Sequence, residues 1–196
     1  LRRFDPVVHQ ESDDAILAFI GPSIGLDEAK QVLDATYVGP IARNDLPAAV
    51  RAGFRRVVII DGLFEQTLSV SLVELRNARQ AGCEIIGGAS MGALRGVEAE
   101  PLGVSRCGVI AEAYASGELE ADDEVGVATC PESFRALSDA MVNIRWVLGF
   151  GVAEGQLAQH DAIRIGELAR LTFYPLRGRA QLRQALLDAG ESGLWD

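Results

Sequence analysis

The amino-acid sequence predicts an α/β fold built on a parallel sheet with flanking helices, and three observations carry that prediction. Two apolar, β-rich runs, 56–60 (RVVII) and 84–86 (EII), alternate with two helical patterns, 68–80 and the one that opens at Ser90. Strand, helix, strand, helix in that order calls for parallel strands joined by right-handed crossovers. An earlier run, 15–20 (AILAFI), is short and continuously apolar and stops at Gly21-Pro22-Ser23, as a strand covered on both faces does. The chain has 196 residues, 48% of them hydrophobic, enough to bury one sizeable core.

Residues 1–14 read as a polar lead and 15–196 as a single domain with a helical C-terminal part. The first strand ends in GPS; residues 26–33 fit a brief helix and 37–40 an extended piece. The β-branched run 56–60 is the clearest strand and ends in Asp61-Gly62. Leu68, Leu72 and Leu75 share one stripe of a helix closed by Gly82. After the third strand and the helix at Ser90, residues 109–116 read as a helix, 118–124 as an acidic stretch and 125–128 as a short strand. An amphipathic helix over 137–148 stops at Gly149, and two more, 154–171 and 179–189, flank TFYPLRGR. The whole is a doubly wound, Rossmann-like sheet with a helical end; no repeat or low-complexity linker interrupts it.

Charge and cysteine content exclude several functions. With 28 acidic against 18 basic residues the net charge is -10, so there is no basic footprint for nucleic acid. No apolar run approaches the ~20 residues of a membrane span, and residues 1–14 lack the apolar core of a signal peptide. The chain reads as cytoplasmic. Cys83, Cys107 and Cys130 form no CxxC or Cys/His ligand set, so neither a metal nor a disulfide framework is expected.

In an open parallel sheet the loops at the carboxyl ends of the strands share one edge. GPS, DGLFE and GGASMG therefore meet, and Ser23, Asp61, Glu65 and Ser90 become candidates to line one crevice. Gly88-Ala89-Ser90-Met91-Gly92 is a Gly-x-Ser-x-Gly stretch between a strand and a helix, where a hydrolase presents a serine nucleophile. Ser90 is either that nucleophile or an N-cap whose hydroxyl satisfies an orphan backbone N–H. Only His9 and His160 exist; the first lies in the polar lead and the second reads as a surface residue, so a Ser-His-acid triad is poorly supported. A glycine-rich helix start also holds anions or an oxyanion without a histidine, and Gly87, Gly88 and Gly92 admit close approach to the backbone. It is no P-loop, since Lys30 is the only lysine. Asp61 is a general base, an orienting group or a turn aspartate, with Glu65 as its companion. Gly21, Pro22, Ser23, Gly62, Gly88, Met91 and Gly92 are the expected substrate-binding positions, joined by Asn143, a polar residue on an apolar helix. Asp122, Asp123 and Glu124 form a solvated acidic loop, or else a cation site or a docking edge for a basic partner.

Taken together, FIGPS (19–23), IDGLFEQ (60–66), GASMGALRGVE (88–98), DDEVGVA (122–128) and LSDAMVNIR (137–145) resemble the TfuA-like proteins, named after a component of trifolitoxin biosynthesis. FYPLRGR (173–179) is similar to that family's C-terminal piece. The resemblance implies a partner of a YcaO enzyme in making backbone thioamides, in ribosomal peptides or in the thioglycine of methyl-coenzyme M reductase. The resemblance further implies that YcaO activates the amide with ATP while the TfuA-like protein is associated with supplying sulfur, in the family's most concrete proposal by hydrolysing the C-terminal thiocarboxylate of a ThiS-like carrier. A non-catalytic adaptor that stimulates YcaO is the alternative, and a general serine hydrolase a weaker one. On this reading Ser90, or a water positioned by Asp61 or Glu65, attacks while the Met91 N–H polarises the carbonyl and Arg95 supplies a counter-charge. No cofactor is implied, and a homo-oligomer is compatible with the sequence.

Overall fold

The structure, a computed structural model of the chain, describes residues 1–6, 15–64 and 68–188. The chain forms two compact units, Leu1–Glu120 with Pro131–Arg135, and Ala121–Cys130 with Ala136–Asp196.

The first unit holds β1 (Ile16–Phe19), α1 (Leu26–Val32), β2 (Thr36–Val38), α2 (Asp45–Arg51), β3 (Arg56–Ile59), α3 (Leu72–Gln80), β4 (Glu84–Gly88), α4 (Ala89–Glu98), β5 (Ser105–Cys107) and α5 (Val109–Ser116). Its five strands pair in parallel in the order β2-β1-β3-β4-β5. The chain winds away from β1 in both directions, so the sheet is doubly wound with its switch point between β1 and β3.

Leu17 and Phe19 of β1, Val57 and Ile59 of β3 and Ile85 of β4 form the core with Leu46 and Ala49 of α2 and Leu75 and Ala78 of α3. Burying each large side chain of this kind contributes about 1.5–3 kcal/mol. The other face of β4 is more open, because Ile86 keeps much of its surface exposed. The strand read as an apolar run is therefore covered on one side.

Several boundaries differ from the sequence reading for local reasons. The helix read from Leu68 starts at Leu72, because Ser71 and Glu74 close a capping box: Ser71 Oγ accepts from the Glu74 N–H, and the Glu74 carboxylate accepts from the Ser71 N–H. The first residues of the polar lead are packed: Phe4 lies edge-on to Phe19 and Phe54, with ring centroids 6.1 and 6.3 Å apart, and the Gly39 N–H donates to the Arg2 carbonyl. Residues 7–14 of that lead, His9 among them, lie outside the described residues.

The second unit holds α6 (Met141–Ala153), α7 (Gln159–Leu171) and α8 (Arg179–Asp188), with 3-10 turns at Asp122–Glu124 and Tyr174–Leu176. The short strand expected at 125–128 does not form. Instead Thr129 and Ala136 make a single antiparallel bridge, the Leu137 N–H donates to the Ala128 carbonyl, and the Ala128 N–H donates to Ser138 Oγ. Those bonds hold 137–138 out of the helix, so α6 begins at Met141. At its other end α6 runs through Gly149 and Gly151, at a cost near ~1 kcal/mol per glycine. Packing of α6 against α7 offsets it.

Candidate functional site

The carboxyl ends of β1, β3 and β4 meet as the sequence predicts. After β1, Gly21 turns the chain so tightly that a Cβ there would stand 2.7 Å from Pro40 Cγ and 3.2 Å from Asp61 Cβ. Only glycine brings the GPS turn onto the end of β3. Ser23 Oγ then donates to Asp61 Oδ1 at 2.7 Å, and the Ser23 N–H donates to Asp61 Oδ2 at 3.2 Å. The Gly21 N–H also bonds the carboxylate.

Asp61 is 1% exposed. Burial pushes its carboxyl above the usual carboxylate range, and the hydrogen bonds from Ser23 and Gly21 oppose that without cancelling it. Those donors are neutral, so nothing in that set fixes the carboxylate as a permanent anion. Ser23 itself is exposed, so solvent reaches its hydroxyl and not the carboxylate behind it.

The β3 end also meets the start of α4. A Cβ on Gly62 would stand 2.6 Å from Met91 Cγ, and the Gly92 N–H donates to the Ile60 carbonyl at 3.1 Å. At the turn from β4 into α4, Ala89 has φ +57°, a conformation that L side chains seldom adopt, and Ser90 is non-helical at φ -38° and ψ -121°. Ser90 is half-buried at this kink, with regular helix following it. The strained position is the alanine directly before the serine.

The glycines of this turn do something other than what the sequence suggests. A Cβ on Gly92 would stand 1.8 Å from the Ile59 carbonyl oxygen, and one on Gly87 would stand 2.1 Å from the Gly92 carbonyl oxygen. Their missing side chains let α4 seat on the strand ends, so the close approach is made by the chain's own backbone. Gly88 is the register partner of Cys107, whose Sγ would lie 2.9 Å from a Cβ there. Cys107 is exposed and reaches this edge because β5 extends the sheet, a strand the sequence reading omitted.

Other expected site residues are placed elsewhere or differently. Arg95 does not turn to the helix start as a counter-charge: its Nε donates to the Val70 carbonyl at 3.1 Å, and its guanidinium pairs with Glu98 one turn further on. Glu65 lies outside the described residues. His160 is a surface residue beside Asp161. Asn143 is exposed on α6, in the second unit.

In that second unit two of the three acidic-loop carboxylates are held by arginine. Glu124, 5% exposed, accepts from Arg145 Nε at 2.9 Å and Nη2 at 2.6 Å. Arg177, 1% exposed, donates to the Asp123 carboxylate at 2.5 Å and carbonyl at 2.8 Å, and to the Ala169 and Thr172 carbonyls at 3.0 Å. These two carboxylates are thus engaged in ion pairs within the unit. Among the described residues no group of three or more His, Cys, Asp or Glu is placed to hold a metal. A cavity of about 400 Å³ lies between α6 and α7, lined by Leu148, Val152, Ile163 and the longer side chains of Arg145 and Arg170. On another face of α6, Trp146 and Phe150 stack 5.6 Å apart and stand 71% and 50% exposed.

Among the described residues no helix is long and apolar enough to cross a membrane. Compared with known protein families, residues 61–178 match the family model described as TfuA-like protein. No curated protein matches the chain.

Proposed function

The chain belongs to the TfuA-like family, which is associated with YcaO enzymes, and from that premise we propose that it supplies sulfur for backbone thioamide formation. The substrate is the C-terminal thiocarboxylate of a small ThiS-like carrier protein; its hydrolysis releases sulfide to the YcaO partner, which activates the amide with ATP. The acceptor is a ribosomal peptide or the glycine that becomes thioglycine in methyl-coenzyme M reductase.

One observation carries this reading: Asp61, buried and bonded to neutral donors, stands at the switch point of the sheet, one strand from the kinked turn that presents Ser90. Ligands of doubly wound sheets bind outside the carboxyl ends of the strands at that point. A carrier tail ending in Gly-Gly is thin enough to enter there, and backbone N–H groups at the start of α4 suit its anionic end. Ser90 then acts at the carbonyl, as nucleophile or as the group that positions it, with Asp61 handling protons. The experiment is sulfide release from a thiocarboxylated ThiS-like carrier with no YcaO present. Release by the purified chain supports the hydrolase; its absence removes it.

The exposed Trp146–Phe150 stack favours a second reading, an adaptor that binds YcaO through α6. Replacing both rings by serine weakens YcaO binding on that reading and leaves carrier hydrolysis intact.

A further inference from the structure

Hydrolysis needs a base for the attacking water. We propose that Ser23 and Asp61 together form the proton relay of this site, Ser23 Oγ taking a proton from the attacking water as it passes its own to Asp61 Oδ1. This rests on the sulfide-releasing reading above.

The geometry suits a relay better than a simple pin. The 2.7 Å bond from Ser23 Oγ to Asp61 Oδ1 is short enough for transfer along it, and Ser23 faces solvent while the carboxylate behind it is shut off. Ser23 is thus the exposed member of the pair and Asp61 the buried one. The carboxylate is held in place by two backbone groups besides the hydroxyl: the Ser23 N–H bonds Oδ2, and the Gly21 N–H bonds the carboxylate as well. Pro22 fixes the backbone φ between those two residues. What acts on the carboxylate is burial together with the Ser23 hydroxyl, the Ser23 N–H and the Gly21 N–H, with burial raising its proton affinity. An arginine in place of those donors would lower that affinity and make the carboxylate a weaker base.

The atoms balance without a co-reactant. Water oxygen bonds the thiocarboxylate carbon while one water proton passes through Ser23 Oγ to Asp61. The C–S bond then breaks with its electron pair on sulfur. The proton stored on Asp61 returns through Ser23 to that sulfur, so hydrosulfide leaves and a carboxylic acid remains on the carrier.

The test uses the full chain with a thiocarboxylated ThiS-like carrier in single-turnover sulfide release, comparing wild type, Ser23→Ala, Ser23→Thr and Asp61→Asn. The relay predicts that Ser23→Ala loses about a hundredfold or more in rate at unchanged carrier affinity and melting temperature, and that Ser23→Thr, which keeps a hydroxyl, recovers most of it. The wild-type rate rises with pH as Asp61 ionises, and Ser23→Ala loses that limb. Carboxyl-selective carbon NMR follows Asp61 without turnover: its titration lies above the usual aspartate range and moves higher in Ser23→Ala, which removes a bond to the ionised form. A Ser23→Ala protein with wild-type rate and pH profile overturns the relay and leaves the hydrolase reading standing. A loss that Ser23→Thr does not restore, accompanied by a lower melting temperature, also overturns it, in favour of a pin for the GPS turn. If wild type releases no sulfide while Asp61 still titrates high, the hydrolase reading fails and the relay's task with it.

Discussion

Asp61 and Glu124 are almost equally buried, at 1% and 5% exposure, yet they have opposite partners. Glu124 faces a guanidinium that accounts for both its oxygens. Asp61 faces a hydroxyl and backbone N–H groups. A charged partner offsets the desolvation of a carboxylate, so the pair is a structural tie. Neutral partners offset less, and the carboxyl is left ready to exchange a proton. Burial alone therefore does not distinguish the two carboxylates; the charge of what each touches does.

The largest effect that would sharpen this contrast is on turnover. Asp61→Asn should lower sulfide release by about a hundredfold or more, with carrier binding retained, whereas Glu124→Gln should leave the rate within a few-fold. Equal losses in both variants would erase the distinction. Ser90→Ala should also cost on the order of a hundredfold with little change in melting temperature, since a cap alone would cost only ~1 kcal/mol of stability and no rate. Ser90→Cys separates attack from positioning, because intact-mass analysis detects an acyl-enzyme only if the thiol attacks.

The contrast reverses when stability is read instead. Arg177→Met strands three carbonyls and the Asp123 carboxylate, and chemical denaturation should show a loss of roughly 3 kcal/mol in the second unit. Glu124→Gln should cost less, about 1–2 kcal/mol, because Arg145 is half exposed and solvent screens the pair. Asp61 has the opposite sign. Its folded value is raised, so what it adds to stability is present below the usual aspartate range and is lost as pH rises through the folded value. Unfolding curves across that window should show wild type losing ground to Asp61→Asn as pH rises; a gap that stays constant would mean the carboxyl is not perturbed. The smallest effect belongs to Cys107, whose replacement by serine should leave sulfide release nearly unchanged. A folded Cys107→Ser protein without activity would make a thiol part of the chemistry.

The legible parts of the fold were those written in local pattern. β1, β3 and β4 were visible because each is an apolar run that ends at glycine or aspartate, and the convergence of their loops followed from parallel topology alone. β5 was missed because it is three residues long, mostly polar and at the sheet edge, and α2 because Pro47 in its first turn hides a seven-residue helix. The bond from Ser23 to Asp61 spans 38 positions, and the pair of Arg145 with Glu124 spans 21, so no local spacing announces either. The Gly-x-Ser-x-Gly stretch located the turn correctly. Its glycines were harder to read, because a residue that admits a ligand and one that admits a neighbouring carbonyl look the same in sequence.

The first unit is not continuous along the chain. It takes Pro131–Arg135 from beyond the point where the second unit has begun, and in that short return Phe134, at φ +56°, sets its ring where a side chain on Gly39 would otherwise stand. Assembly during synthesis follows from this. A nascent chain that has emerged only to Glu120 has all five strands but not the ring that closes over Gly39, so the sheet unit reaches its final packing only after the first ten residues of the other unit have been made. A truncation meant to isolate the sheet must carry the chain through Arg135.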